Sequence, residues 1–279
     1  MPELLRPTVD FVFKRIFGDE RNKDVLVDFL NSIFESAHRP LIESVEILNP
    51  FIDKEALTDK MSVLDIRART ESKTLVNVEI QLLNAGDMPK RTLFYWSRLY
   101  TEQLEEGDPY RSLQRTIAVN ILDTSIIENA QYHNIYHVRE DTTGEWLTDA
   151  LEIHFLELRK LRESAQGITR RLVRWMLFLS ARTKEQMNDL AREEPMMAKA
   201  LTTLEFLSQD DQARHLYEAR QKALHDYASA VEYAKEQGIQ QKALEIARAM
   251  LAKRLDIKTI EEITQLPITT IEMLRSEGH

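Results

Sequence analysis

Short segments of alternating apolar and polar residues recur between residues 44 and 158 of the chain. Alternation with a period of two is typical of half-buried β-strands. The pattern predicts strands at residues 44–48, 62–68, 75–82, 116–122, 134–138 and 151–158. Since only a tight polar connection at residues 70–74 separates the second strand from the third, the two are expected to form a hairpin.

Helical spacing of apolar residues predicts two helices before these strands and one between them. The first follows Thr8 as its N-cap residue and ends at Gly18, because glycine readily adopts the left-handed conformation common at the C-terminal end of a helix. The second starts at Lys23, and the third spans residues 88–104 after the hairpin.

Beyond about Gly167 nearly every segment is rich in strong helix formers, so we place a domain boundary near residue 165. The prediction is a mixed α/β domain at residues 1–165 and an all-helical region at residues 166–279. An apolar stripe near heptad spacing favours either a helix packed on its own domain or a coiled-coil-like homodimer seam. Its members are Leu216, Leu224, Tyr227, Val231, Ala234, Leu244, Ala247 and Leu251.

The last helical segment, residues 257–274, is broken at Pro267 into two short helices, an arrangement similar to a helix-turn-helix. Its second helix offers only Arg275 as a positive group. Packing or oligomer contact is therefore favoured over reading of a DNA groove.

Composition removes several classes of chemistry. The chain has no cysteine, which excludes disulfides, thiolate nucleophiles and cysteine metal sites. Its 7 glycines are too scattered for a dinucleotide fingerprint, a P-loop or a nucleophile elbow. No apolar run approaches membrane-spanning length and the first residues lack the pattern of a secretory signal, so a cytoplasmic protein without a membrane partner is expected.

The formal net charge of -9 argues weakly against a protein that coats nucleic acid with a broad basic surface. Residues 1–162 carry 20 basic and 28 acidic side chains, so most of the excess acid lies in the predicted α/β domain. A local site that carries its own metal ion is compatible with this charge.

Two carboxylates in the predicted hairpin form the candidate site. On the third strand Asn77, Glu79 and Gln81 share one face, and pairing of the two strands brings Asp65 opposite Glu79. Adjacent carboxylates repel unless a cation lies between them, and hard oxygen ligands favour Mg²⁺ or Mn²⁺. The alternative is an ordinary solvated hairpin face, and the spacing alone leaves both interpretations open.

Several short motifs in a consistent order closely resemble the recombination-promoting nuclease (Rpn) family, which is also described as transposases of the PD-(D/E)XK nuclease fold. The resemblance covers most of residues 5–165, and the helical tail is similar to that family's variable extension. Its motifs are Asp10-Phe-Val-Phe-Lys14, Ile16-Phe17-Gly18, Phe29-Leu30-Asn31, Leu64-Asp65-Ile66-Arg67-Ala68, Asn77-Val78-Glu79-Ile80-Gln81 and Arg91-Thr-Leu-Phe-Tyr95-Trp96.

The resemblance implies a restriction-endonuclease-like core, a mixed sheet flanked by helices, and a Mg²⁺-dependent DNA endonuclease in which Mn²⁺ substitutes for Mg²⁺. Asp65 and Glu79 then bind the metal, with the carbonyl of Ile80 as a further ligand. Gln81 replaces the lysine usual in the superfamily, so it orients the attacking water by hydrogen bonds without supplying positive charge. The competing hypothesis is a catalytically degenerate nuclease fold that acts as an interaction or regulatory module.

Other candidates are weaker. Asp10 and Lys14 form either a pair facing the site or a surface ion pair, and Arg91 and Tyr95 belong to the helix after the catalytic strand. Tyr95, Trp96 and Tyr100 either stack on bases or pack in the core. His133 and His137 are expected to be structural or exposed rather than metal ligands. The candidate DNA contacts are Arg67, Arg69, Arg170, Arg171 and Arg174. For the last three, a solvated helix face is the alternative.

Overall fold

The computed structural model describes residues 3–49, 66–82, 86–164 and 171–277. Within these residues six strands form one mixed sheet in the order β1-β2-β3-β4-β6-β5. β1, β2 and β3 are antiparallel, β3, β4 and β6 are parallel, and β5 is antiparallel to β6. The strands are β1 (Val45–Ile47), β2 (Ile66–Thr70), β3 (Leu75–Gln81), β4 (Thr116–Leu122), β5 (His133–His137) and β6 (Leu151–Glu157).

Helices flank this sheet and make up most of the described residues after it. The bounds of the described α-helices are α1 (Asp10–Phe17), α2 (Lys23–Ser36), α3 (Met88–Thr101), α4 (Leu158–Ser164), α5 (Arg171–Ser180), α6 (Lys184–Ala191), α7 (Pro195–Gln209), α8 (Asp211–Ala252), α9 (Ile257–Thr264) and α10 (Ile268–Glu277). Each strand segment predicted from the sequence overlaps one of these strands, with ends that differ by a few residues. The α/β core followed by helices is confirmed. Residues 62–65 of the second predicted strand lie outside the described residues.

The alternation of side chains gives the sheet two different faces. Val76, Val78 and Ile80 of β3 pack with α1 and α2 in the main core, whose centre includes Phe13, Phe17, Phe29 and Trp175. The opposite face is covered by α3, and its apolar cluster is smaller. Residues of both faces of β3 are buried, except for Gln81 at the end.

Both ends of α1 differ from the prediction. The helix is preceded by Val9 at the N-cap, and the Oγ1 atom of Thr8 is buried with no hydrogen-bond partner among the described residues. Gly18 has φ -103°, so it is not left-handed. A Cβ atom at Gly18 would lie 2.8 Å from the carbonyl oxygen of Lys14 and 3.4 Å from Cγ1 of Ile66. Close approach of backbone and sheet, rather than a positive φ, therefore favours glycine here.

The chain divides into two compact units, Met1–Arg220 and Gln221–His279. The boundary predicted near residue 165 falls inside the first unit, because α5, α6 and α7 contribute to the same core as α1 and α2. In the second unit the end of α8 packs with α9 and α10 around Ala247, Ile260, Leu266, Ile271 and Leu274. Among the described residues, no helix has the length and apolar character needed to cross a bilayer.

A buried chain of polar side chains ties the β5 edge to the sheet on the α2 side. Oε1 of Glu152 lies 2.7 Å from Nε2 of His154. Nδ1 of His154 lies 2.8 Å from Nε2 of His133, and Nδ1 of His133 lies 3.0 Å from Oγ of Ser36. A carboxylate only accepts, so with neutral rings the Nε2–H of His154 donates to Glu152 and the Nε2–H of His133 donates to Nδ1 of His154. The hydroxyl of Ser36 then donates to Nδ1 of His133. The expectation of structural histidines agrees with these contacts.

Stability is expected to fall in acid because of His133. Burial lowers the pKa of its imidazole to about 3, from an ordinary 6.5, with the neighbouring His154 acting in the same direction. Below pH 6.5 the His133 imidazole therefore binds a proton in the unfolded chain but stays neutral in the folded chain. The free energy of unfolding declines as pH falls below 6.5, by at most about 1.4 kcal/mol per pH unit. Chemical denaturation of the wild-type and His133→Gln proteins between pH 7 and pH 5 measures this. An equal slope in both proteins would contradict the assignment.

Candidate active site

The face of β3 under α3 carries the candidate site. Glu79 is 2% exposed, on the same face as Asn77 and Gln81, as the alternation predicts. Its Oε1 atom accepts from Nε of Arg91 at 3.0 Å and lies 2.9 Å from Nη2 of the same guanidinium. The interpretation as a solvated hairpin face is therefore wrong for Glu79, because a helix covers the carboxylate and an arginine pairs with it.

α3 is positioned here by its own sequence. Gly86, with φ +79°, precedes it, and Pro89 lies in its first turn, where a missing N–H costs nothing. Trp96 faces the sheet and donates from Nε1 to the carbonyl oxygen of Thr116 at 2.8 Å. Arg91 and Tyr95, both predicted from this helix, meet at the site, with the guanidinium carbon of Arg91 5.2 Å from the ring centroid of Tyr95.

Asn120 of β4 is a site residue that the sequence analysis missed. It pairs with Glu79 in the parallel register, its Oδ1 accepts from the hydroxyl of Thr92 at 2.8 Å, and its Nδ2 donates to the carbonyl oxygen of His154 at 3.1 Å. An asparagine inside the apolar run of β4 was the available signal, because a buried polar residue in such a strand must be paired.

Asn77 provides an unpaired buried oxygen on the same face. Its Oδ1 has no hydrogen-bond partner among the described residues, although Asn77 is only 6% exposed. An unpaired buried oxygen is costly unless a donor or a cation completes it. Together with the Glu79 carboxylate it supplies hard oxygen atoms of the kind that Mg²⁺ and Mn²⁺ bind.

The structure describes only part of the predicted ligand set. Asp65, the first carboxylate, lies outside the described residues. β2 and β3 are antiparallel, with Ile66 opposite Val78, which is the register that the predicted pairing requires. Ile80 points into the main core, so it offers the site only its backbone carbonyl. The described residues contain no cluster of three or more histidine, cysteine, aspartate or glutamate side chains able to hold a metal.

The accessory pair on α1 has separate surroundings. Oδ2 of Asp10 lies 3.7 Å from Nε of Arg220, and burial raises the pKa of the Asp10 carboxyl group above its ordinary value, partly opposed by the Arg220 charge. Lys14 is buried, and its Cγ would lie 3.1 Å from a Cβ at Gly18, close to the start of β2. Lys14 thus lies near the strand that follows Asp65 in sequence.

The described candidates for DNA contact each pair with an acceptor of this chain. Nη1 of Arg67 lies 3.5 Å from Oε2 of Glu102, and Nη1 of Arg69 lies 3.0 Å from Oε2 of Glu46. Arg171 pairs with Asp28, while Arg174 donates to the carbonyl oxygen of Leu190 at 3.1 Å. Arg170 lies outside the described residues. Contact with DNA would require these arginines to exchange or share their partners.

The sheet order, the buried glutamate of β3 and the covering helix define a nuclease-like α/β fold. A family model described as PD-(D/E)XK nuclease family transposase matches residues 7–234, and the chain belongs to this family. The resemblance found in the short motifs is thereby confirmed. PD-(D/E)XK nucleases generally use divalent metal ions. No curated protein and no solved structure matches the chain.

Proposed function

We propose that the protein is a Mg²⁺-dependent DNA endonuclease with its active site at Glu79. The observation that carries the proposal is the buried Glu79 carboxylate on β3 of a PD-(D/E)XK family member, on the same strand face as the Asn77 oxygen that has no partner among the described residues. Burying a carboxylate is costly even when an arginine pairs with it, and buried charged groups of this kind are concentrated at functional sites.

In this proposal Asp65 and Glu79 hold the metal, together with the carbonyl of Ile80, and Mn²⁺ substitutes for Mg²⁺. The metal, when bound, lowers the pKa of water and neutralises charge that develops on the phosphate. Gln81, at the partly exposed end of β3, orients the attacking water through its amide group. Arg91 shifts between the Glu79 carboxylate and a phosphate oxygen of the substrate, for which its planar guanidinium is suited.

DNA cleavage by the purified protein tests the proposal. We expect supercoiled plasmid to be nicked or linearised with Mg²⁺ or Mn²⁺, and EDTA to abolish the reaction because the proposal assigns activation of the attacking water to the metal. Gel analysis of plasmid forms over time measures the rate. Absence of cleavage with either metal, in protein shown to be folded by circular dichroism, would contradict the proposal.

One observation favours a second candidate, a degenerate nuclease fold acting as an interaction or regulatory module. The Arg91 guanidinium already neutralises Glu79, and Gln81 lacks the charge of the usual lysine. Titration calorimetry with Mg²⁺ and Mn²⁺ separates the two candidates. Binding that is lost in both Asp65→Ala and Glu79→Ala supports the nuclease, and no binding by the wild-type protein supports the degenerate fold.

We also retain as proposals a link to DNA recombination, mobile elements or defence, and a homodimer formed through the C-terminal helices. Support for the dimer comes from exposed apolar side chains along α8, among them Tyr227, Val231 and Ile239, which are 47%, 49% and 61% exposed. Exposed apolar side chains along one helix are typical of contact surfaces. The cytoplasmic location expected from the sequence stays a prediction.

A further inference from the structure

We propose that a cavity between the end of α2 and the β2–β3 hairpin binds a phosphate monoester at Arg39 and Arg115. The cavity has a volume of about 280 Å³. Arg39 follows α2, Arg115 immediately precedes β4, and the hairpin contributes Thr70, Ser72 and Thr74. This inference does not depend on the proposed nuclease activity.

Two guanidinium groups at this cavity share one carboxylate. Nη2 of Arg39 donates to Oε2 of Glu152 at 2.6 Å, and Nη2 of Arg115 donates to the same oxygen. Glu152 is fully buried and carries one negative charge against two positive charges. The pair of arginines therefore keeps donors and positive charge beyond what Glu152 satisfies.

Arg115 has a buried donor without an acceptor. Its Nε atom has no hydrogen-bond partner among the described residues, and the same side chain lines the cavity. A guanidinium presents Nε–H and Nη–H groups as a planar fork that matches two oxygen atoms of a phosphate. The Arg115 side chain is 21% exposed, so part of it is open to a phosphate in the cavity even though its Nε atom is buried.

The hairpin adds a row of hydroxyl groups to the cavity wall. Oγ1 of Thr70 lies 2.9 Å from Oγ of Ser72, which lies 3.3 Å from Oγ1 of Thr74. Hydroxyl groups rotate to donate to an added acceptor, so they suit a phosphate. Glu71 also lines the cavity, but its carboxylate accepts from the backbone amides of Glu43 and Ser44 at 3.1 and 3.3 Å, toward the segment before β1.

The cavity is larger than a bare phosphate ion needs, and part of its wall is apolar. Phe34, Leu41 and Ile117 line this part, so an organic group attached to the phosphate has a surface to pack on. A nucleotide or the 5′-phosphorylated end of a DNA strand has this chemistry. Ile117 pairs with Val76 on the α2 side of the sheet, whereas Glu79 lies under α3, so the cavity is distinct from the candidate active site.

Titration calorimetry on the full chain tests the cavity, in EDTA and at constant ionic strength. The probes are inorganic phosphate, thymidine 5′-monophosphate, thymidine, and a single-stranded oligonucleotide with or without a 5′ phosphate. We expect saturable binding of phosphate and tighter binding of the monophosphate, with thymidine alone much weaker. Preference for the phosphorylated oligonucleotide over the monophosphate would identify a DNA end as the ligand, and the reverse order would identify a free nucleotide.

Variants connect the binding to the cavity. Arg115→Met is expected to weaken binding about tenfold or more, since a charge-assisted hydrogen bond is lost. Thr74→Val leaves the Glu152 ion pairs intact and is expected to weaken binding a few-fold. The matched control is Arg192→Met, because Arg192 is an exposed arginine whose Nη1 lies 3.4 Å from Oδ1 of Asp189, and it does not line the cavity.

Two results would overturn the proposal. One is the absence of saturable phosphate or monophosphate binding to the wild-type protein up to roughly 10 mM ligand. The other is equal affinity in the wild-type protein and every cavity variant that folds. If Arg115→Met does not fold, Thr74→Val decides the question, because its hydroxyl is removed without exposing a buried charge.

Discussion

The Glu79→Gln protein is expected to lose metal-dependent DNA cleavage by about 10²–10³-fold, and to remain folded at a lower free energy of unfolding because the buried pair with Arg91 loses its charge. Glutamine retains the size of the side chain and an oxygen that accepts from Arg91, but it removes the charge that a divalent cation requires. Asp65→Asn is expected to produce a loss of similar size if the two carboxylates act together. Initial rates of plasmid nicking at saturating Mg²⁺ or Mn²⁺ measure the effect.

Glu20→Gln is the matched control, because Glu20 is an exposed carboxylate paired with Lys23 and has no assigned role in the site. It should cleave at the wild-type rate. Thermal unfolding of each variant separates loss of chemistry from loss of structure. Equal cleavage by wild type, Asp65→Asn and Glu79→Gln would exclude both carboxylates from catalysis, and unchanged cleavage in Glu79→Gln alone would exclude Glu79.

Local patterns in the sequence were sufficient to predict the strands around the site. The period of two in β3 separates Val76, Val78 and Ile80 from Asn77 and Glu79, and the structure places these sets on opposite faces. The turn at residues 70–74 predicted the antiparallel hairpin. Such patterns work because strand alternation depends only on neighbouring residues and on which face is buried.

These patterns did not show which helix packs on each face of the sheet. Nothing within β3 indicates that α3 places Arg91 against Glu79, since the two residues belong to different elements. The domain boundary shows the same limit, because α5 is helical in composition, yet its Trp175 packs against Phe17 and Phe29 in the core of the first unit. Helix content is a local property, whereas the core a helix joins depends on the whole fold.

The network at Glu152 also escaped the sequence analysis because it joins residues far apart in the chain. β5 and β6 were both predicted as strands, but the pairing that aligns His137 with Glu152 depends on the sheet order. Arg39 and Arg115 reach the same carboxylate from the end of α2 and the start of β4. Contacts of this kind require the three-dimensional arrangement of four separate segments.

Replacement of Glu152 by glutamine is expected to lower the free energy of unfolding by about 3–5 kcal/mol, the usual result of breaking a buried ion pair. Burial alone would raise the pKa of the Glu152 carboxyl group, but hydrogen bonds from His154 and His137 and the charge of Arg115 hold it below the ordinary range. Glutamine keeps the volume and loses the charge. Arg39 and Arg115 would then remain partly buried beside a neutral side chain. Urea denaturation at pH 7 measures the loss.

The exposed pair of Glu46 and Arg69 provides the comparison, because both side chains are about half exposed, at 62% and 46%. Glu46→Gln should change the free energy of unfolding by less than about 1 kcal/mol. The double variant Glu152→Gln, Arg115→Met should recover part of the stability lost in Glu152→Gln, since one of the two unpaired charges is removed with the carboxylate. A Glu152→Gln protein as stable as wild type would contradict this prediction. It would mean that water, rather than Glu152, solvates the charges of Arg39 and Arg115, and that these charges at the cavity are those of solvent-exposed arginines.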